Sequence, residues 1–218
     1  MRSAFISIGL VCLLAAAGAT AGEREAPVVP KEKILLFNNK ALAGWVQKGG
    51  RRDDDQKVWT VRDGVIHCLG KPHGVLVTEK AYANDRLHVE WRWVEKPTNS
   101  GVMLHMGGGK SIEAQLMHRH AGDIWLLGRS TLKVDGKTVG PGKPHAHVKM
   151  KHPSNEKPPG EWNTYDITCD GGAIRIVVNG LLQNAGTGAV PSSGFIALQS
   201  EGSPIQFRNV RLDPLAKE

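Results

Sequence analysis

Leu87-His88-Val89-Glu90-Trp91-Arg92-Trp93 alternates apolar and polar residues without a break. Successive side chains of a strand point to opposite faces of its sheet, so Leu87, Val89, Trp91 and Trp93 are buried together while His88, Glu90 and Arg92 face the other way. A helix would scatter the same residues around its circumference. On either side of this stretch the chain carries hairpin signals. Trp59-Thr60-Val61 and Val65-Ile66-His67 flank Asp63-Gly64, and residues 173–178 and 181–183 flank Asn179-Gly180. Asp-Gly and Asn-Gly accommodate the positive φ of a type I′ turn, which joins two antiparallel strands tightly. With 26 Gly and 12 Pro among 218 residues, and no helical pattern of comparable clarity, the chain reads as all-β. Strands at such short spacing predict a two-sheet antiparallel sandwich.

Composition narrows the function classes. An apolar share of 40% is that of a globular domain, and disordered or disulfide-framework chains are excluded. The net charge of +7 arises from scattered Lys and Arg, with no nucleic-acid module signature. At the N-terminus, Arg2 precedes a charge-free run with an apolar centre from Ile8 to Ala17 and the small triplet Ala19-Thr20-Ala21. That is the build of a secretory signal peptide, too short to span a membrane comfortably. Residues 1–21 are therefore expected to be removed after Ala21, taking Cys12 with them. The expected localisation is export, periplasmic or secreted. Residues 22–32 read as a linker, 33–213 as one domain and 214–218 as a tail. Cys68 and Cys169 remain, either as two buried free thiols or as one disulfide. Residues 128–160 carry Gly140-Pro141-Gly142 and Lys157-Pro158-Pro159 with few large apolar side chains. They are expected to form a long excursion with little core of its own, at the rim of a site.

Strand parity then selects polar candidates. Val102 and Leu104 face inward, leaving Met103 and His105 outward. Ile112, Ala114 and Leu116 do the same, leaving Glu113 and Gln115 outward. Ile196 and Leu198 leave Gln199 and Glu201. Together with Glu90 and Arg92 these form a polar surface suited to sugar hydroxyls, with Trp125 as the aromatic platform. Any half-solvated antiparallel sheet also shows such a row, and Glu90 with Arg92 can equally be a cross-strand charge pair. His118-Arg119-His120 and His145-Ala146-His147 place imidazoles two apart, yet no third ligand lies at typical spacing, so no metal is assigned and a polar loop rim is the simpler reading. Gly107-Gly108-Gly109-Lys110 lacks the spacing of a P-loop.

The order of local patterns resembles one known family. The patterns are Leu36-Phe37-Asn38-Asn39, Leu42-Ala43-Gly44-Trp45, Asp63-Gly64-Val65-Ile66, Asn99-Ser100-Gly101-Val102 and Ile112-Glu113-Ala114-Gln115, followed by Gly160-Glu161-Trp162-Asn163, Val178-Asn179-Gly180, residues 194–199 and Phe207-Arg208-Asn209-Val210. Together, over roughly residues 33–213, they are similar to the 3-keto-disaccharide hydrolases, or 3-keto-glucoside lyase-hydratases. The resemblance implies a jelly roll of the concanavalin A-like lectin and glucanase type, with a carbohydrate site on a concave sheet. His105 stands where relatives often carry Arg, and Gln199-Ser200-Glu201-Gly202 where some have an Asp-His pair. The glucanase run Glu-x-Asp-x-x-Glu is absent, because the corresponding stretch is Glu113-Ala114-Gln115-Leu116-Met117-His118.

What the resemblance implies is cleavage of a 3-keto-glycoside by proton abstraction at C2, elimination at C1 and hydration. No cofactor is needed in the protein itself, and a separate oxidoreductase is expected to introduce the C3 ketone. In that chemistry Glu113 is expected as base and His105 or Glu201 as acid. Gln115, Gln199, Arg92, Glu90, Trp125 and His118 are expected to contact the sugar. The alternative is a lectin-like carbohydrate-binding module without catalysis.

Overall fold

The computed structural model describes residues 25–49, 57–143 and 145–216. The signal-peptide reading over residues 1–21, the start of the linker and the last two residues of the tail lie outside them. No helix occurs among the described residues. In chain order the first strands are β1 (Ile34–Leu35), β2 (Trp45–Gly49), β3 (Trp59–Arg62), β4 (Val65–Cys68), β5 (Gly74–Tyr82) and β6 (Asp85–Trp93). There follow β7 (Gly101–Gly107), β8 (Lys110–Gln115), β9 (Ile124–Leu127), β10 (Thr131–Val134), β11 (Lys137–Val139) and β12 (Ala146–Val148). The last five are β13 (Asn163–Asp170), β14 (Ala173–Val178), β15 (Leu181–Val190), β16 (Gly194–Ser200) and β17 (Ile205–Pro214).

They build two antiparallel sheets. One is ten-stranded, in the order β11-β10-β15-β14-β13-β6-β17-β4-β3 with β1 alongside β17; the other is seven-stranded, β12-β9-β8-β7-β16-β5-β2. A single apolar core lies between them. Leu87, Val89, Trp91 and Trp93 enter it from β6, as their alternation requires, and meet Val102, Leu104, Ile112, Ala114 and Ile124 from the opposite sheet. Trp91 packs on Tyr165 with ring centroids 4.7 Å apart. Asp63-Gly64 and Asn179-Gly180 both take positive φ, at 50° and 72° and at 45° and 83°, and turn β3 into β4 and β14 into β15. Asp135-Gly136 makes the same turn between β10 and β11.

One expectation is corrected here. Residues 128–160 are not a coreless excursion. Leu132 is fully buried and Val134 nearly so, both within the core, and β10 pairs with β15 while β12 pairs with β9. Two apolar residues two positions apart are enough to root a four-residue strand, and the surrounding Gly and Pro mask that signal in sequence. Cys68 and Cys169 are both free and buried, so of the two readings the unbridged one holds.

Candidate functional site

The two sheets pack through their inner faces, so their outer faces point away from each other. On the outer face of the seven-stranded sheet the strand register lines up a row of side chains. His147 of β12 lies opposite Trp125 of β9, Trp125 opposite Glu113 of β8, and Glu113 opposite Met103 of β7. Met103 in turn is opposite Ala197 of β16, which is opposite Val77 of β5. Glu113 is only 5% exposed. Its carboxyl pKa is pushed up to about 8, first by burial and then by the negative charge of Glu201 nearby. Two carboxylates therefore share this site, one from β8 and one just past β16, where Glu201 bridges Asn99.

The amides around them are specialised. Gln115 lies opposite Gly101, and its Oε1 accepts hydrogen bonds from the backbone N–H groups of Leu116 (2.9 Å) and Met117 (3.0 Å), closing the end of β8. Only its NH2 group remains for a ligand. Gln199 Oε1 and Asn99 Oδ1 are buried acceptors with no hydrogen-bond partner among the described residues. Buried polar groups in native structures are nearly always paired, so two orphaned acceptors beside Glu201 are suited to donors that arrive with a ligand, such as sugar hydroxyls. Asn99 was missed as a site residue in the sequence reading, although Asn99-Ser100-Gly101-Val102 carried part of the family resemblance.

At the other end of the row Trp125 stacks on His147, ring centroids 4.3 Å apart and planes 12° from parallel. His147 Nε2 is 2.8 Å from Asp123 Oδ2, and Asp123 Oδ1 accepts the Met150 N–H at 2.8 Å. His120 Nδ1 reaches the same Oδ2 at 3.2 Å. A buried carboxylate thus fixes the ring on which Trp125 rests. This gives His-Ala-His a role at the site rim through His147. Among the described residues, no group of three or more His, Cys, Asp and Glu side chains is arranged to hold a metal ion.

His105 reaches the outer face, as parity places it, on irregular backbone. Its φ of 53° falls where β7 changes register between Leu104 and Gly107, a bulge that turns the strand locally. Its ring lines a cleft of about 940 Å3 at the β7–β8 hairpin end of the same outer face. Nδ1 lies 3.0 Å from the Pro191 carbonyl oxygen, which can only accept, so Nδ1 carries the proton. Burial lowers the pKa of this imidazole. Burial thus disfavours a second proton on the ring, and Nε2 has no hydrogen-bond partner among the described residues. His118 lies past the end of β8, with Nδ1 3.7 Å from Oε2 of Glu156. Burial raises the pKa of that Glu156 carboxyl, and its Oε1 accepts the Ala121 N–H at 3.0 Å. His118 is thereby engaged at the rim of the sheet.

Glu90 and Arg92 are corrected. Both lie on β6, in the ten-stranded sheet, and face outward on the opposite side of the molecule from Glu113. Alternation states which residues leave the core, but not through which sheet they leave. Glu90 is held by Arg208 Nε at 2.6 Å and Asn209 Nδ2 at 2.7 Å. Burial works against its charge, yet these hydrogen bonds outweigh it and keep its pKa below the ordinary range. Arg92 Nε donates to Gln206 Oε1 at 2.6 Å, and its guanidinium lies 4.6 Å from the Trp162 ring centroid. Glu90 is thus half of a cross-strand charge pair, but with Arg208 of β17 and not with Arg92, which is held by an amide and an indole.

Residues 32–213 match the family model of the 3-keto-alpha-glucoside-1,2-lyase-like domain. The chain belongs to that family. Solved structures with the same fold include a candidate glycosyl hydrolase from Parabacteroides distasonis, at 21% identity and TM-score 0.61, covering 85% of this chain and 94% of the other. A Bacillus licheniformis beta-glucanase aligns at 13% identity and TM-score 0.54, covering 85% and 99%. The carbohydrate-binding module CBM66 from Bacillus subtilis aligns at 11% and 0.55, covering 77% and 94%. At these identities the likeness is one of fold, and it makes the sandwich a jelly roll of the glucanase type. No curated protein matches the chain in sequence. Family membership makes this a carbohydrate-active, glycosidase-like protein. Among the described residues no helix is long and apolar enough to cross a membrane.

Proposed function

We propose that the protein cleaves 3-keto-glucosides by elimination and hydration, with Glu113 as the base. A ketone at C3 acidifies the hydrogen on C2. Glu113 removes that proton, and the C–H electron pair becomes the enediolate spanning C2, C3 and the C3 oxygen. Collapse of the enediolate forms the C1–C2 double bond and breaks the C1–O bond; the leaving oxygen keeps the electron pair and takes a proton. Water then adds at C1 while a proton returns to C2, giving 3-keto-glucose.

The observation that carries this reading is the buried Glu113 carboxyl, raised to about 8 beside a second carboxylate. A carboxylate of high pKa is a stronger base than an ordinary one, and such a pair supplies acceptor and donor together. Glu201 is the donor to the leaving oxygen in the form of the pair whose one shared proton rests on Glu201 and leaves Glu113 ionised. His105 is not, because its Nδ1–H is committed to the Pro191 carbonyl and burial disfavours a second proton on the ring. Gln199, Asn99 and the Gln115 NH2 hold hydroxyls, and Trp125 carries the face of the sugar. The leader-like residues 1–21 support export, and the C3 ketone requires a sugar oxidoreductase upstream.

The lectin-like alternative is weaker, since a binding site gains nothing from a carboxyl kept protonated by burial. The test is incubation of the purified protein with a 3-keto-glucoside and measurement of 3-keto-glucose release. Binding without release, unchanged by Glu113→Gln, would establish the module instead.

A further inference from the structure

The site has a direction along its strands. Ala197 lies opposite Met103 and Met103 opposite Glu113, so on β16 the Glu113 row has Gln199 and then Glu201 on one side and Phe195 on the other. The Glu113 carboxyl leans over Gly101, the residue opposite Gln115, and therefore toward the Glu201 side. On the other side Ser111, two residues before Glu113 on β8, lines the cleft of about 940 Å3 together with His105. Val77 belongs both to the Glu113 row and to the cleft, so the two are continuous.

The cleft is mixed in character. Val77, Met106 and Phe195 give it apolar surface, continuous with Met103 and Ala197 in a cluster outside the core. Around them stand the ammonium groups of Lys48, Lys80 and Lys110 and the carboxylates of Glu25 and Glu79. Both signs together suit neither a strongly anionic nor a strongly cationic ligand, whereas hydroxyl groups both donate and accept and can use each of them. His105 is buried, donates from Nδ1 to the Pro191 carbonyl and leaves Nε2 without a partner, an acceptor for one more hydroxyl. The wall formed by residues 25–28 is fixed, since the Val28 N–H donates to the Ala81 carbonyl at 2.8 Å. An aromatic and aliphatic floor ringed by donors and acceptors is what a pyranose requires, and small-molecule sites of roughly 300 to 1,000 Å3 hold ligands of that size.

We propose that this cleft seats a further sugar, linked to O4 of the 3-keto unit, so that the unit cleaved is an inner one of an oligosaccharide. The inference rests on the reading of Glu113 as base and Glu201 as donor, and names the substrate class of that same site. C1 and C4 lie at opposite ends of a pyranose ring. With O1 turned to Glu201 and C2 at the Glu113 carboxyl, C4 points along the strands toward Met103, Ala197 and the cleft. The leaving group departs at the Glu201 end, and the sugar on O4 stays bound at the Phe195 end. The bonds made and broken are those of the elimination and hydration already given; the O4 linkage is untouched, and the product is a 4-O-glycosyl 3-keto-glucose.

The test compares methyl 3-keto-glucoside with the same compound carrying a glucosyl group on O4, either α- or β-linked. Methanol leaves in all three, so the chemistry at C1 is the same. One of the extended compounds should show kcat/KM higher by about tenfold to a hundredfold, the worth of two or three hydrogen bonds. Phe195→Ala and Glu79→Ala, the latter an exposed side chain, should each shrink that advantage severalfold and leave turnover of the methyl compound unchanged. An advantage within twofold for both extended compounds, or one that survives both substitutions, would overturn the proposal while leaving the lyase reading intact. If none of the three is cleaved, the lyase reading fails, and the cleft is read by calorimetry with unoxidised methyl cellobioside and methyl maltoside against methyl glucoside. Tighter binding of a disaccharide, weakened by Phe195→Ala and Glu79→Ala, sustains the sugar seat; equal binding removes it.

Discussion

Glu113 Oε1 fills the space from which a side chain at position 101 would start: a Cβ on Gly101 would lie 2.4 Å from it. The carboxylate of β8 is thus laid sideways across the neighbouring strand, toward the residues that follow β16. Glycine at position 101 is required for space, not for backbone conformation. Gly101→Ala should push the carboxylate aside while the flexible end of the side chain absorbs the clash. We expect kcat/KM to fall by about tenfold to a hundredfold, with the melting temperature little changed. A comparable loss in both would mean that the glycine serves the sheet alone.

Glu113→Gln should lower kcat by about 10²–10⁴-fold with a smaller change in KM, because the amide keeps the shape and cannot accept the C2 proton. The same substitution has a stability signature. The folded carboxyl holds its proton up to about 8, against 4.5 for an ordinary glutamate. Between those values the unfolded chain ionises this group while the folded chain does not, so wild-type stability from this group is complete below the lower value and is lost as pH rises through the upper one. Glutamine has no such loss. The variant should match the wild type near pH 4.5 and melt higher at pH 8.5, as measured by thermal unfolding at both.

A pair of neighbouring carboxylates titrates as a unit, and the reaction uses it with one proton in place. Above about 8 the second proton leaves and the donor is gone, so kcat/KM for alkyl 3-keto-glucosides should fall tenfold per pH unit. Glu201→Gln should be costly for an alkyl leaving group, on the order of 10²-fold, and cheap for 4-nitrophenolate, which departs without a proton. Equal losses on both leaving groups would exclude Glu201 as the donor.

Asp123, His147 and Trp125 form a chain in which the first holds the second and the second supports the third. His147→Ala should raise KM about threefold to tenfold, the worth of one aromatic stack, and leave kcat within a factor of two or three. His147→Phe should restore much of the loss by restoring the stack. Failure of Phe to rescue would point to a proton-carrying role for the imidazole.

Leu132→Ala should cost about 2–5 kcal/mol of stability in denaturant unfolding, as for a buried leucine elsewhere in a core. A value below 1 kcal/mol would return residues 128–160 to the status of an appendage.

The fold was legible because β6 alternates strictly and because Asp63-Gly64 and Asn179-Gly180 leave few alternatives to a tight turn. Parity also placed Glu113, Gln115 and Gln199 on one surface. It failed at Glu90 and Arg92 because period-two patterning carries no label for the sheet to which a strand belongs; that is fixed by non-local pairing of β6 with β13 and β17. His105 also reached the outer face as parity places it, but a bulge in β7 and its place near the end of that strand set it in the cleft beside Met106 and Phe195, which no local pattern announces. Asn99 and the support of Trp125 by Asp123 were hidden for a different cause. Their significance lies in what they face across the sheet, and the residues they face are distant in the chain.

Cys68 and Cys169 sit in β4 and β13, with β17 and β6 between them in the same sheet. Burial raises both thiol pKa values, Cys169 the further of the two, so neither reacts while the sheet stays closed. Each becomes a built-in clock for the breathing of its own stretch of β-structure. Alkylation of the native protein, followed by mass spectrometry over time, will resolve whether the sandwich opens from the β3–β4 edge inward or parts as one body, with no crosslink or substitution introduced.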